Sequence, residues 1–197
     1  MAVWFAALGA LLGSAGASRA EVIERILAIA DGRPLMLSEV ALLERVRGVP
    51  RAQALEALID EALMFREASR LPTTLATAED EERAYASLCE RLGPDTAGRL
   101  EGRLRRLARR QTAILKYIAF RFGPQVRIAD QAPRAAYDAE FAGRPEPPAF
   151  EAVEAQLRER LYRQALDETV EAWVRELRDA AEIRHNTDSE AVPPSPP

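Results

Sequence analysis

The stretch Ile23–Val40, IERILAIADGRPLMLSEV, decides the fold. Ile26 to Ala30 is short, apolar and suited to a strand. Asp31-Gly32 follows, and Asp-Gly between apolar runs marks a hairpin, because glycine accepts the positive φ of a tight primed turn. Arg33 to Leu37 is then the returning strand. Pro34 has no N–H to give to a ladder, so that strand should lie at a sheet edge or pair weakly there. Ser38 stands where a helix N-cap belongs, its hydroxyl placed to accept an orphan backbone N–H. Two strands alone are marginal in water and need a third strand or a helical cover. The candidate third strand lies far away, at Ala181 to Asn186, with Ile183 pointing inward. This reading puts both regions in one sheet and makes everything between them a helical excursion.

The excursion is punctuated by glycine and proline. Ser38 to Val46 reads as a short helix with Val40, Leu43 and Val46 on one side, ended by Gly48 and Pro50. Arg51 to Leu71 is the clearest helix. Its apolar stripe is Leu55, Leu58, Ile59, Ala62, Leu63 and Phe65, and Glu56, Asp60, Glu61, Arg66, Glu67 and Arg70 fall mostly outside it. Pro72 to Thr77 is a loop. Thr77 and Asp80 have the spacing of a capping box for a third helix, which carries Tyr85, Leu88 and Leu92 and stops at Gly93-Pro94. Asp95 caps the next helix, which runs to about Phe122 with Leu100, Leu104, Leu107, Ala108, Ile114, Leu115 and Ile118 inside. Gly98 and Gly102 weaken its first turns by up to about 1 kcal/mol each and favour a later start. Asp130 caps a helix to Phe141, with Pro133 tolerated in its first turn. Gly143 to Pro148 is a rigid break. Phe150 to Ala180 is a long helix with Val153, Leu157, Leu161, Ala165, Val170, Trp173, Val174 and Leu177 on its buried side. Residues 187–197, rich in Pro, Ser and acid, are expected to be disordered.

The chain has 197 residues and a net charge of −4, which gives no reason to expect nucleic acid or an anionic membrane as a general partner. Its 48% hydrophobic and 29% charged residues are those of an ordinary globular protein. Residues 1–20 differ. Val3 to Ala17 is apolar or small and about as long as a signal-peptide core, and Ser18-Arg19-Ala20 fits cleavage after Ala20. Only the start amine supplies positive charge before it. The alternative is a retained N-terminal membrane anchor; export is common to both. Cys89 is the only cysteine, so no intrachain disulfide forms, and a small hydrophobe on a helix is its expected state.

Chemistry-bearing patterns are scarce. The single histidine, His185, reads as a polar residue on a short edge strand and not as part of a triad. One Cys and one His leave nothing from which to build a metal site, and no cofactor is expected. Gly9, Gly13 and Gly16 lie in the signal segment and make no phosphate loop. The acidic runs Asp60-Glu61 and Glu79 to Glu82 read as solvated faces, because adjacent acids on a helix do not face one another. The arginines from Arg99 to Arg121, including Arg99, Arg103, Arg106 and Arg110 at helical spacing, read as a solvated face opposite the apolar stripe. Tyr117, Phe120 and Phe122, flanked by arginines, are the candidate peptide-binding residues, since Arg and aromatics are favoured at interfaces. Core packing is the competing role for these aromatics.

The order of four segments resembles the core module of SurA-like periplasmic chaperones, relatives of exported parvulin-type foldases. These are ADGRPLMLSEV (30–40), ALEALIDEALMFREASRL (54–71), RRQTAILKYIAFRFGPQVRIADQAPRAAYDAEF (109–141) and FEAVEAQLRERLYRQALDETVEAWVRELRDAAEIRH (150–185). The likeness covers roughly residues 22–186. In that family a parvulin prolyl-isomerase domain is commonly inserted before the last long helix, and the eight residues between Phe141 and Phe150 leave no room for one. Asp130-Gln131-Ala132 also departs from the acid-rich helix start usual there.

The resulting expectation is a mainly α-helical module with a small β-sheet formed by an N-terminal hairpin and a C-terminal strand. Residues 1–20 are a signal peptide, 21–142 and 149–186 together form the module, and 187–197 are a tail. The resemblance implies a periplasmic, non-catalytic holdase for unfolded secreted or outer-membrane polypeptides, with no nucleic-acid partner and a homodimer left open. The competing expectation is a structural or adaptor subunit of an envelope complex with one fixed protein partner.

Overall fold

The computed structural model describes residues 24–70 and 77–186. The signal-peptide, Pro72-loop and tail readings therefore fall wholly or mostly outside the described residues. Within them the chain is mainly helical, with one three-stranded antiparallel sheet. β1 is Ile26–Ala30 and β2 is Arg33–Met36. Asp31 and Gly32 have φ of +46° and +77°, the two positive values that a primed two-residue turn demands. β3, Ile183–His185, pairs with the other side of β1, giving the order β2-β1-β3, with Ile183 opposite Ala30. Both expected features of the sheet are present: Pro34 is on an edge strand, and the two distant regions meet.

Asp31 does more than turn the chain. Its N–H donates to the Glu182 carbonyl at 2.9 Å, and its Oδ1 accepts the Glu182 N–H at 2.8 Å. Its Oδ2 accepts from Arg66. At the other end of β3 the Asn186 N–H donates to the Leu27 carbonyl at 2.9 Å. The third strand is thus pinned at both ends to β1 and its turn.

Helix α1 is Leu37–Arg47, and it begins one residue before the expected cap. Ser38 is its second residue. The orphan N–H groups are taken from elsewhere: that of Leu37 by the Arg25 carbonyl (2.7 Å), of Ser38 by Glu24 Oε1 (3.1 Å), of Met36 by Glu39 Oε2 (3.4 Å). Gly48, with φ +66°, closes the helix. α2 is Arg51–Ala68, three residues shorter than expected. α3 is Ala78–Leu92, and Thr77 caps it: Asp80 N–H donates to Thr77 Oγ1 at 3.2 Å while Asp80 Oδ2 receives the Thr77 hydroxyl at 2.5 Å. α4 is Pro94–Arg121. Proline at its first position is preset for the helix, so it starts there despite Gly98 and Gly102, and Asp95 lies within the first turn and not at the cap. A 3-10 turn, Gly123–Gln125, follows. α5 is Ala132–Glu140, preceded by Gln131 and not capped by Asp130. α6 is Phe150–Ala180, with the expected bounds.

The main core lies between the sheet, α1, α2, α3 and α4. Leu35, Val40, Leu43, Leu58, Ile59, Leu63 and Leu104 are all fully buried there. Each such side chain contributes about 1.5–3 kcal/mol by leaving water. A second, smaller core is aromatic. Trp173 of α6 stacks on Tyr117 at 5.3 Å between centroids and lies 5.1 Å from Phe122, over Ala68. Beyond this point α6 thins out. Only Leu157 of its expected buried side is fully covered, and the remaining seven are half-covered. Leu115, expected inside, is 65% exposed: one step of about 100° from buried Ile114 carries it off the covered arc.

Candidate functional site

Where the hairpin turn meets α2 and α4, the chain leaves a groove of about 610 Å³. Ala30, Ala62, Leu63 and Phe65 provide its apolar lining. Arg33, Arg66, Arg106, Arg109 and Arg110 provide its charge, with Asp31 and Glu39 as the only carboxylates among the lining residues. Sequence periodicity explains the convergence. Arg106, Arg109 and Arg110 are three and four residues apart and share one side of α4. Arg66 faces them from α2, and the primed turn delivers Arg33.

Most of this charge is already spoken for. A chain of ion pairs runs beneath the groove. Glu61, 3% exposed, accepts from Arg47 of α1, from Arg110 Nε of α4 at 3.1 Å and from Gln111 Nε2 at 3.1 Å. Arg110 also reaches Glu39 Oε1 at 3.2 Å, and Arg33 meets the same oxygen at 3.2 Å. Burial and the neighbouring Arg110 push the Arg33 guanidinium below its ordinary range, against the pull of Glu39. Arg66 pairs with Asp31 and Glu67. Arg109 donates to Glu81 of α3 at 3.0 Å, which raises it above its usual value. Arg106 is the exception. It lines the groove and the two smaller depressions beside it, lies over Gly102, and has no carboxylate within ion-pair distance among the described residues.

Glu61 corrects the expectation of a solvated acid beside Asp60. It sits three residues after Leu58 and seven after Ala54, on the buried arc of α2, so its carboxylate is drawn inward and must be paired. Arg110 likewise departs from the solvated series, being 11% exposed at its side chain. That spacing was the available signal: an acid on an apolar arc, with a surplus of arginines elsewhere.

The sequence-expected aromatics separate. Tyr117 and Phe122 come together in the interior with Trp173, whereas Phe120 stays apart on the surface, 59% exposed. The groove aromatic is Phe65 instead. His185 is exposed on the outer edge of β3, beside a shallow depression formed with Ala52, Gln53, Glu56 and Asp60. Cys89 is half-buried against the main core. Among the described residues no His, Cys, Asp and Glu cluster could hold a metal ion, and no helix is long and apolar enough to cross a membrane.

No protein-family model matches the sequence, and no curated protein matches it.

Proposed function

We propose that this chain is an exported, non-catalytic holdase that binds unfolded secreted or outer-membrane polypeptides in the periplasm. The observation that supports it is the groove between the hairpin turn, α2 and α4. It joins an apolar lining built around Phe65 to a ring of guanidinium groups. Its volume falls within the range of sites that hold a ligand in a partly enclosed cleft. Burying client side chains on Phe65 would release water from both surfaces, and the arginine stems would add apolar contact while their heads stay wet. A site of this size holds a few residues of an extended chain. Affinity near 1 μM, about 8 kcal/mol, allows capture and release without nucleotide.

The test is light scattering from an unfolded outer-membrane polypeptide diluted out of urea, with and without the chain lacking residues 1–20. The expected outcome is suppression at a few-fold molar excess, weakened by Phe65→Ser. Unchanged aggregation at ten-fold excess would overturn the proposal. Stoichiometric capture of one native envelope protein, with no effect on unfolded clients, would favour a fixed adaptor.

A further inference from the structure

The charge of the groove selects its occupant. Four of the five arginines are compensated: Arg33 by Glu39, Arg66 by Asp31 and Glu67, Arg109 by Glu81, and Arg110 by Glu61 and Glu39. Arg106 stands uncompensated among the described residues, in a chain whose overall charge is negative. A polyanion needs a row of free cations, because duplex DNA presents a charge about every 1.7 Å. One free guanidinium beside an apolar wall fits one carboxylate carried next to apolar side chains.

We propose that the groove binds an extended polypeptide segment in which a single acidic side chain adjoins apolar or aromatic ones, the carboxylate meeting Arg106 and its neighbours lying on Phe65. This rests on the holdase reading in one respect: a holdase must seize a chain anywhere along its length, so the carboxylate belongs to a side chain and not to a chain terminus. Two features fit the assignment. Arg106 lies over Gly102, where even an added Cβ would stand 3.7 Å from its Nη1, so the helix surface beneath the guanidinium is stripped of side chain. Its planar fork can also engage both oxygens of a carboxylate at once. The ion pairs around it hold the other rim arginines in place, so a carboxylate entering the groove meets a fixed positive field. Burial and like-charge crowding already disfavour the charged form of Arg33, and an arriving anion would relieve that crowding.

Fluorescence anisotropy with nonapeptides tests this. The peptides are acetylated and amidated, carry an uncharged dye, share a Gly-Ser background, and have Leu-Glu-Phe, Leu-Gln-Phe or Leu-Lys-Phe at the centre. The Glu peptide is expected to bind at least ten-fold more tightly than the Gln peptide, with the Lys peptide weakest. Arg106→Gln should abolish the difference between Glu and Gln while the circular dichroism melt is unchanged. Arg106→Lys should restore part of it, and Arg99→Gln, a charge loss on an exposed part of the same helix, should leave it intact. Equal binding of Glu and Gln peptides to the unaltered chain would overturn the proposal. So would a preference that survives Arg106→Gln, displacement of the Glu peptide by equimolar single-stranded DNA, or binding only by peptides with a free C-terminal carboxylate. The two proposals fail separately. Suppression of aggregation without any Glu preference removes this one alone, and a Glu preference without suppression removes the holdase alone.

Discussion

The body built on the sheet and the long helix α6 use similar residues and bury them to different depths. In the body, Leu35, Leu43, Leu58, Ile59, Leu63 and Leu104 have almost no exposed surface. Along α6, about 46 Å long at 1.5 Å per residue, full burial is reached only at Leu157. The helix is held instead at separate points: Arg178 to Asp60 and Glu56 of α2, Trp173 to Tyr117 and Phe122, and Phe150 to Tyr137 of α5. The difference teaches that an apolar stripe does not fix its own depth of burial. The body closes on itself because the sheet supplies one wall and four helices the rest. The first half of α6 has the short α5 and little else to lie against.

The sharpest way to break this contrast is truncation in the two regions. Leu58→Ala is expected to cost about 3–5 kcal/mol, as fully enclosed leucines do, whereas Leu161→Ala on the half-covered face of α6 should cost about 1 kcal/mol or less. Urea midpoints measure both, and equal losses would erase the distinction. Next, Glu61→Leu should destabilise by about 3 kcal/mol, because Arg110 loses its buried partner. Adding Arg110→Met should recover most of it, because an apolar pair of similar volume replaces the ion pair; a further loss on chemical denaturation would contradict that account. Trp173→Ala should cost about 2 kcal/mol, intermediate because the ring is half-covered yet touches two other rings. Arg178→Ala should cost about 1 kcal/mol, since its partners are partly solvated.

The smallest effect concerns pH. Lys116 and Thr77 hold the Asp80 carboxyl at about 2, below its ordinary 3.8. A depressed carboxyl stabilises the fold above its unfolded value, so this contribution is present above about pH 4 and is lost as pH falls through about 2. Lys116→Met should therefore lessen the fall in melting temperature between pH 4 and pH 2. An identical fall would show that the pair has no bearing on stability.

These contrasts also mark what sequence reading could reach. Turns and helix ends were legible at Asp31-Gly32, Gly48, Thr77, Gly93-Pro94 and Pro148-Phe150, because φ restrictions and missing N–H groups act locally. Ser38, Asp95 and Asp130 do not take the cap positions: α1 starts a residue early on partners from residues 24–25, α4 opens on Pro94, and α5 follows Gln131. Glu24 and the Arg25 carbonyl serve the α1 start, and such partners are set by the chain's path and not by the local pattern. The pairing of β3 with β1 was legible because a two-stranded hairpin with an apolar face is incomplete. The groove was not, since it needs Arg33, Arg66 and Arg106 from three separate elements to face one another. Phe120 stands out by its neighbours in sequence, and Phe65 falls on the apolar stripe of α2. Only the packing of α4 on α2 distinguishes a surface ring from a groove ring.

The pairing of β1 with β3 has a consequence for how the molecule is made. Asp31 and Glu182 are 151 positions apart, and their hydrogen bonds join the first strand to the third. Contacts of such long range form slowly and late. During synthesis the hairpin emerges with one flank of β1 bare and stays so until residues 183–185 are delivered. A bare strand flank attracts other strands, so for that interval the nascent molecule is open to association with other chains.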